Sequence, residues 1–419
     1  MKFAFITPRY GADVAGGAEH ACRLIAEQIS RRHDVDVLTT CARDPLNWRN
    51  EYSEGIDRVR GALVRRFAVT QAPDGSGSIS QAQSAPPVRA EQLEWVKRQG
   101  PWSPGLLDHL RRQHRSYDAI VFFSLVNPLT VHGLQVAPDR SIVFPHLRLG
   151  PELRFGLCAD ALASAAAVGY VSSAERKLLH SYVRANTRHE EVVGIGIDPS
   201  PEQSYPRHQQ DPADTLARDD DETGGEVAPE QKGYLTGRGI PFRRRHRLYG
   251  SFALYGGHVE PDNGSEELLD YFDSYASSDG PAALVLMGVK MMKVPDEPYI
   301  RLAGVLPERE RMVAYEAADV TIAPASDDLT AQPVLESLAV GTPVLACARN
   351  EAAVDHCRRA NAGLYYFNRE EFVEALRLLT MNVRLRERLS ENGRQYVKQH
   401  YRWDAVLGRF DRLVSRVRK

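Results

Sequence analysis

Two series of short apolar runs, each alternating with helical periodicity and parted by a long acidic stretch, predict an α/β protein of two doubly wound domains. In the first series the runs fall at residues 3–6, 35–38, 119–123, 142–144 and 168–171. In the second they fall at 252–255, 283–287, 320–322, 343–345 and 364–366. Strands separated by helices build parallel sheets covered on both faces, and strands buried on both faces read as continuous apolar runs. A length of 419 residues leaves room for two full-sized domains.

Bulk properties exclude several classes. An apolar fraction of 43% with 26% charged residues is that of an ordinary globular protein. A net charge of -2 gives no general attraction to nucleic acid or to an anionic membrane. Cys22, Cys41, Cys158, Cys347 and Cys357 are scattered, with no CxxC pair. That pattern fits a reduced, cytoplasmic compartment and no metal cluster. The apolar run at 3–6 is too short for a signal peptide and meets Pro8-Arg9 at once. No run approaches a membrane span of about 20 apolar residues.

Along the first domain, strand 3–6 leads through Tyr10-Gly11 into Gly16-Gly17-Ala18-Glu19. Ala21, Leu24, Ile25 and Ile29 then recur at helical spacing. Gly16 and Gly17 therefore sit between a strand and a helix start, where glycine lets the backbone approach a ligand and free N–H groups attract an anion. A Gly-Gly turn is a weak signal alone, and no GxGxxG accompanies it, which argues against a dinucleotide oxidoreductase. Residues 71–87 carry Gly-Ser-Gly and Pro-Pro and read as a loop. Run 142–144 ends in Pro145-His146-Leu147-Arg148-Leu149-Gly150-Pro151. His146 is either a structural histidine at a strand end or a site residue, and Arg148 suits a phosphate or carboxylate contact.

Residues 1–198 form the first domain in this reading, 199–245 a mobile acidic linker, 246–400 the second domain and 401–419 a final helix. Residues 209–232 are rich in Asp, Glu, Pro, Gly and Gln, with Asp219-Asp220-Asp221-Glu222 at their centre. Such a stretch cannot bury enough apolar surface to offset its ordering entropy. The final helix carries Trp403, Val406, Leu407, Phe410, Leu413, Val414 and Val417 on one stripe. Arg409, Arg412, Arg416 and Arg418 lie opposite; they read as a solvated face or, less simply, as a weak anchor at the inner face of a membrane.

In the second domain Gly256-Gly257-His258-Val259-Glu260-Pro261-Asp262-Asn263-Gly264 follows the first strand, and Gly288-Val289-Lys290-Met291-Met292-Lys293 follows the second. Lys290 and Lys293 are either surface lysines or cations at the edge of the sheet where ligands bind. Further on, Asp328-Leu329-Thr330-Ala331-Gln332-Pro333 is an acid-bearing loop running into a short helix. That helix holds Glu336, ends at Gly341 and precedes an apolar strand. Carboxylates accept paired hydrogen bonds from vicinal hydroxyls, so the layout suits a pocket for a sugar and a ribose.

This last stretch resembles the nucleotide-sugar site of the retaining GT-B glycosyltransferases of family 4, whose signature is Glu, seven residues, Glu. The first acid is here Asp328. The resemblance runs through Glu94-Trp95, Gly100-Pro101-Trp102-Ser103-Pro104-Gly105, the strand Gly363-Leu364-Tyr365-Tyr366 and Asn392-Gly393-Arg394. It implies two Rossmann-like domains facing a cleft, the last helix crossing back to the first domain, and metal-independent transfer of a hexose with no cofactor beyond the donor. Gly16, Gly17, Gly257, His258 and Asn263 then face the donor diphosphate, Glu336 the ribose, Asp328 the donor sugar, and Thr330 a phosphate. The family pattern after the first strand of the second domain is Gly-Arg, four residues, Lys-Gly; His258 and Asn263 stand where its two cations would be. Losing even one preorganised donor to a developing oxyanion typically costs about 3–4 kcal/mol of barrier. Lys290, Lys293 and Arg9 are the candidate substitutes. Anchored on Pro145 and Pro151, a family His-Asp-Glu triplet becomes Arg148-Leu149-Gly150, with His146 two residues earlier. Three readings follow: a transferase acting on a glycan or lipid-linked acceptor in polysaccharide biosynthesis, a non-catalytic relative that binds glycans or activates a partner glycosyltransferase, and a GT-B epimerase.

Overall fold

The computed structural model describes residues 1–14, 16–45, 47–72, 88–147, 151–198, 239–326 and 329–417. Of these, 1–196, 329–330 and 403–417 belong to one unit and 197–326 and 331–402 to the other. The expected loop at 71–87 and the expected linker at 209–232 fall almost wholly outside the described residues.

The first unit contains β1 (Lys2–Ile6), α1 (Gly17–Ile29), β2 (Asp34–Thr40), β3 (Gly55–Val59), β4 (Ala62–Phe67), α2 (Arg89–Gln99), α3 (Pro104–Gln113), β5 (Ala119–Phe123), α4 (Pro128–Gly133), β6 (Ser141–Phe144), α5 (Gly156–Ser164), β7 (Ala167–Tyr170), α6 (Ser173–Tyr182) and β8 (Glu190–Val192). Its sheet runs β3-β4-β2-β1-β5-β6-β7-β8. Only β3 is antiparallel, paired to β4. The central strands are wholly buried; Phe3, Phe5 and Phe123 point to one face and Ala4, Ile6, Ile120 and Phe122 to the other, so each face has its own core.

The second unit contains α7 (Ile240–Arg245), β9 (Phe252–Gly256), α8 (Ser265–Ser277), β10 (Ala283–Met287), β11 (Ile300–Gly304), α9 (Glu308–Ala317), β12 (Val320–Ala323), α10 (Gln332–Val340), β13 (Val344–Cys347), α11 (Glu351–Ala360), β14 (Gly363–Tyr366), α12 (Arg369–Met381) and α13 (Val383–His400). Its strands lie in the order β11-β10-β9-β12-β13-β14, all parallel.

Residues 240–245 differ from the linker expected there. Phe242 is buried, and the Arg243 guanidinium donates to the carbonyls of Gly250 at 2.8 Å and Ala317 at 2.6 Å, with Asp319 at 3.4 Å. A buried arginine whose donors are met in this way anchors α7 to the second unit.

The last helix, α14 (Trp403–Val417), joins the first unit. Val406, Leu407, Phe410, Leu413 and Val414 share a core with Phe3 and Phe5. On its other side Arg409 donates to the Val193 carbonyl at 2.8 Å, Arg412 meets Glu191 at 3.2 Å, and Arg416 reaches the Glu190 carbonyl at 3.2 Å. Three of the four arginines are thus tied to β8 and its end. Among the described residues no helix is long and apolar enough to cross one. All five cysteines are free and buried.

Candidate functional site

In each sheet the strand order reverses at one place, between β9 and β12 in the second unit and between β1 and β5 in the first. Loops leaving the carboxyl ends of two such strands diverge, and the crevice between them is where open α/β sheets bind ligands. Most of the expected site residues lie on these loops.

In the second unit β9 ends at Gly256, where any Cβ would collide with the Tyr315 hydroxyl from α9. Gly257 continues the chain, its N–H donating to the Met287 carbonyl at 2.9 Å. His258 is exposed, and its carbonyl accepts from the Tyr255 hydroxyl at 2.7 Å. Val259 bridges to Lys290 in parallel, which brings the loops after β9 and β10 side by side. Lys290 is exposed, as is Lys293.

Asn263 is engaged within its own turn. Its amide donates to the Glu260 carboxylate at 2.6 Å and to the His258 carbonyl at 3.4 Å. The position is committed to an anion within its own turn. Gly264 follows at a φ of 66° and opens α8.

α10 begins after Ala331, a buried non-glycine residue at a φ of 46°, with Pro333 in its first turn and no acid there. Its amino end carries the positive end of the helix dipole. Ser337 pins the helix, its hydroxyl donating to the Thr342 carbonyl and accepting from the Thr321 hydroxyl, each at 2.8 Å. Glu336 lies one residue earlier and is only 4% exposed. Its carboxylate accepts from Arg311 Nε at 2.8 Å and Nη2 at 2.7 Å, and from Gln332 Nε2 at 2.9 Å. Burial works against the Arg311 charge, and Glu336 more than offsets this, so the guanidinium pKa is raised. Tyr315, one turn along α9 from Arg311, has its pKa raised well above the usual range by burial and then by the Glu336 charge. It stays a neutral hydroxyl between Gly256 and the ion pair.

In the first unit α1 starts at Gly17 directly after Gly16, which has a φ of 141°. A Cβ on Gly16 would strike the Glu19 carboxylate, and one on Gly17 would strike His146 Nε2. The structure thus brings Gly16, Gly17 and His146 together, and His146 itself holds a φ of 47°. Arg9 is not the loose cation expected. It is 5% exposed, pairs with Glu19 at 2.8 Å, donates to the Arg43 carbonyl at 3.0 Å and lies over Trp48. Its charge is matched inside the unit.

Asp328 and Arg148 lie outside the described residues. Thr330 groups with the first unit, apart from Glu336. Arg311, Tyr315, Gln332 and Glu260 were not expected. Arg311 sits in Pro307-Glu308-Arg309-Glu310-Arg311, a charged run indistinguishable from a solvated helix face. Its one signal is the spacing of four to Tyr315, which puts both on one side of α9.

Comparison with known proteins adds the decisive observation. Residues 242–396 match the family model for glycosyl transferases, group 1. The match spans most of the second unit, including Gly257, His258, Arg311 and Glu336. Solved structures align over almost the whole chain. HepE from Anabaena, in complex with UDP and glucose, has a TM-score of 0.66 at 14% identity, covering 99% of each chain. Sucrose-phosphate synthase from Thermosynechococcus elongatus has a TM-score of 0.65 at 14% identity, covering 99% of this chain and 98% of that one. The α,α-trehalose 6-phosphate synthase from Burkholderia multivorans has a TM-score of 0.63 at 14% identity, with 99% and 96% covered. The fold is GT-B, with two Rossmann-like parallel-sheet domains.

Proposed function

We propose that the chain is a retaining glycosyltransferase that moves a hexose from a nucleoside diphosphate donor to a glycan or lipid-linked acceptor. The second unit holds the nucleotide in this reading and the first holds the acceptor. What carries it is the family-model match over residues 242–396, which covers the loops at the carboxyl edge of the second sheet.

Glu336 accepts from the ribose. His258 and Lys290, both exposed on adjoining loops, face the diphosphate together with the amino end of α10. The bond from sugar carbon 1 to the β-phosphate oxygen breaks as the acceptor hydroxyl oxygen bonds to that carbon, the hydroxyl proton passing to the departing phosphate, and fixed donors stabilise the negative charge that develops there. Asp328 takes the donor sugar, His146, beside the Gly16-Gly17 turn, serves the acceptor side, and Arg148 is the second candidate for that role.

HepE binds UDP and glucose, so UDP-glucose heads the donor panel. The test is a thermal-shift screen of UDP, GDP and ADP and their hexose conjugates, followed by NMR of the sugar released from any donor that binds. A rise in Tm with one nucleotide and release of the donor's own anomer are expected. Absence of both binding and hydrolysis across the panel overturns the proposal in favour of the non-catalytic relative.

A further inference from the structure

Glu336 and Arg311 form a more constrained unit than a carboxylate waiting for a diol. An ionised carboxylate offers about four acceptor positions, two on each oxygen. In Glu336, Oε1 accepts from both Arg311 Nη2 and Gln332 Nε2, and Oε2 accepts from Arg311 Nε. Three positions are filled. The one left is on Oε2.

The partners are not casual. Arg311 approaches side-on through Nε and Nη2, which fixes the carboxylate plane as well as its place. The glutamate side chain is 6% exposed and the arginine 27%, so water competes poorly for the pair. Tyr315 closes the space beneath, its hydroxyl against Gly256. Rotating the carboxylate to free a second position breaks a charged hydrogen bond in a buried setting, which is costly.

We propose that Glu336 takes a single ribose hydroxyl, and that Arg311 is the positioning residue that decides which. The inference rests on the reading of the second unit as a nucleotide site. It makes the ribose contact asymmetric, where a bare carboxylate would grip the 2′- and 3′-hydroxyls equally.

Calorimetric titration of the full chain with UDP, GDP and ADP, and with their 2′-deoxy and 3′-deoxy forms, tests this on the wild type. Removing the hydroxyl that donates to Glu336 is expected to weaken binding about ten-fold or more, the usual effect of losing a hydrogen bond to a charged group. Removing the other is expected to weaken it less than about three-fold. Arg311→Met frees two acceptor positions and should bring the two penalties together. Gln332→Ala frees one position without emptying a buried site, and should shift them the same way if the first variant folds poorly. Equal penalties in the wild type, or a wild-type asymmetry unmoved in Gln332→Ala, overturn the inference while leaving the nucleotide site standing. Failure of every nucleotide to bind the wild type overturns that site, and the inference with it.

Discussion

Both units place a Gly-Gly turn after the first strand of a parallel sheet, Gly16-Gly17 after β1 and Gly256-Gly257 after β9. The two turns treat charge in opposite ways. In the first unit Arg9 and Glu19 neutralise one another against the turn, and His146 closes on Gly17. In the second, His258 and Lys290 stay exposed beside the turn, and Arg311 pairs with the buried Glu336 close enough to Tyr315 to act on its hydroxyl. A diphosphate needs unspent positive charge at its edge, and a ribose needs a fixed acceptor set back from it. Only the second turn offers both. The same backbone device is used once as a closed joint and once as an open one, and the side chains decide which.

The comparison is broken most forcefully at the ion pair. Removing one partner of a buried pair costs about 3–5 kcal/mol, because the other charge is left desolvated. Arg311 is a quarter exposed, so Glu336→Ala is expected near the lower end, about 3 kcal/mol, along with lost nucleotide binding. Glu336 is therefore structural as well as a candidate ligand, contrary to what its place on a short helix implies. Replacing both partners with apolar residues should cost less than the sum of the single changes. Urea denaturation of the two single variants and the double variant measures this, and strict additivity would refute the pairing.

Acid should separate the units. His356 on α11 is buried, with Nδ1 3.0 Å from the Tyr396 hydroxyl and its ring against Tyr401. Burial lowers its pKa from 6.5 to about 4. Between those values the unfolded chain binds a proton that the folded chain refuses, so stability falls as pH drops from about 6.5 towards 4. The shift corresponds to about 3 kcal/mol when complete. Burial also lowers His109 and His132 of the first unit, but His356 is the one shifted far, so hydrogen exchange at pH 5 should show the second unit losing protection before the first. His356→Phe is expected to flatten that pH dependence, and an unchanged slope would assign it to other groups.

In the first unit the weak point is the closed turn. Gly16 holds a φ of 141°, which side chains rarely adopt, and a Cβ there meets Glu19. Gly16→Ala is expected to cost about 2 kcal/mol, the usual scale for a residue forced into such a region. Chemical denaturation gives the value, and a neutral result would show that Glu19 can swing clear.

How legible each region was follows from what its residues bury. β1, β5, β6, β9, β10, β12 and β13 read as apolar runs because both faces are covered. β3, β4, β8 and β11 did not read as strands. Gly55-Ile56-Asp57-Arg58-Val59 and Ile300-Arg301-Leu302-Ala303-Gly304 lie at sheet edges with one side open, and charge there carries no penalty. In β4 the buried Arg66 is held by the Tyr10 carbonyl at 2.8 Å and the Tyr52 ring, partners that only the fold supplies. The site divides the same way. Gly16, Gly17, Gly257 and Glu336 stood out because turns and helix starts have local signatures. The partners of Arg9 and Asn263 were not legible, because whether a polar group is spent depends on Glu19 and Glu260, whose reach no motif records.

The smallest expected effect is also the sharpest test of the open turn. Asn263→Lys adds a cation to the turn, yet the new ammonium arrives where the present amide lies 2.6 Å from Glu260. The site is partly exposed, and exposed ion pairs contribute about 0–1 kcal/mol, so the fold should barely notice. The new charge is nonetheless expected to pair with Glu260 instead of a phosphate, changing diphosphate affinity less than about two-fold, within that same range. Asn263→Lys with Glu260→Gln removes the competitor, and affinity should then rise about ten-fold, the scale of one charge-assisted hydrogen bond. His258→Arg needs no such second change, because His258 is already exposed and its side chain is not engaged by Glu260 through a hydrogen bond. Calorimetry on the three variants separates the cases. A full gain from Asn263→Lys alone would show that Glu260 does not hold the position, and the turn of the second unit would then be open at residues 258 and 263 alike.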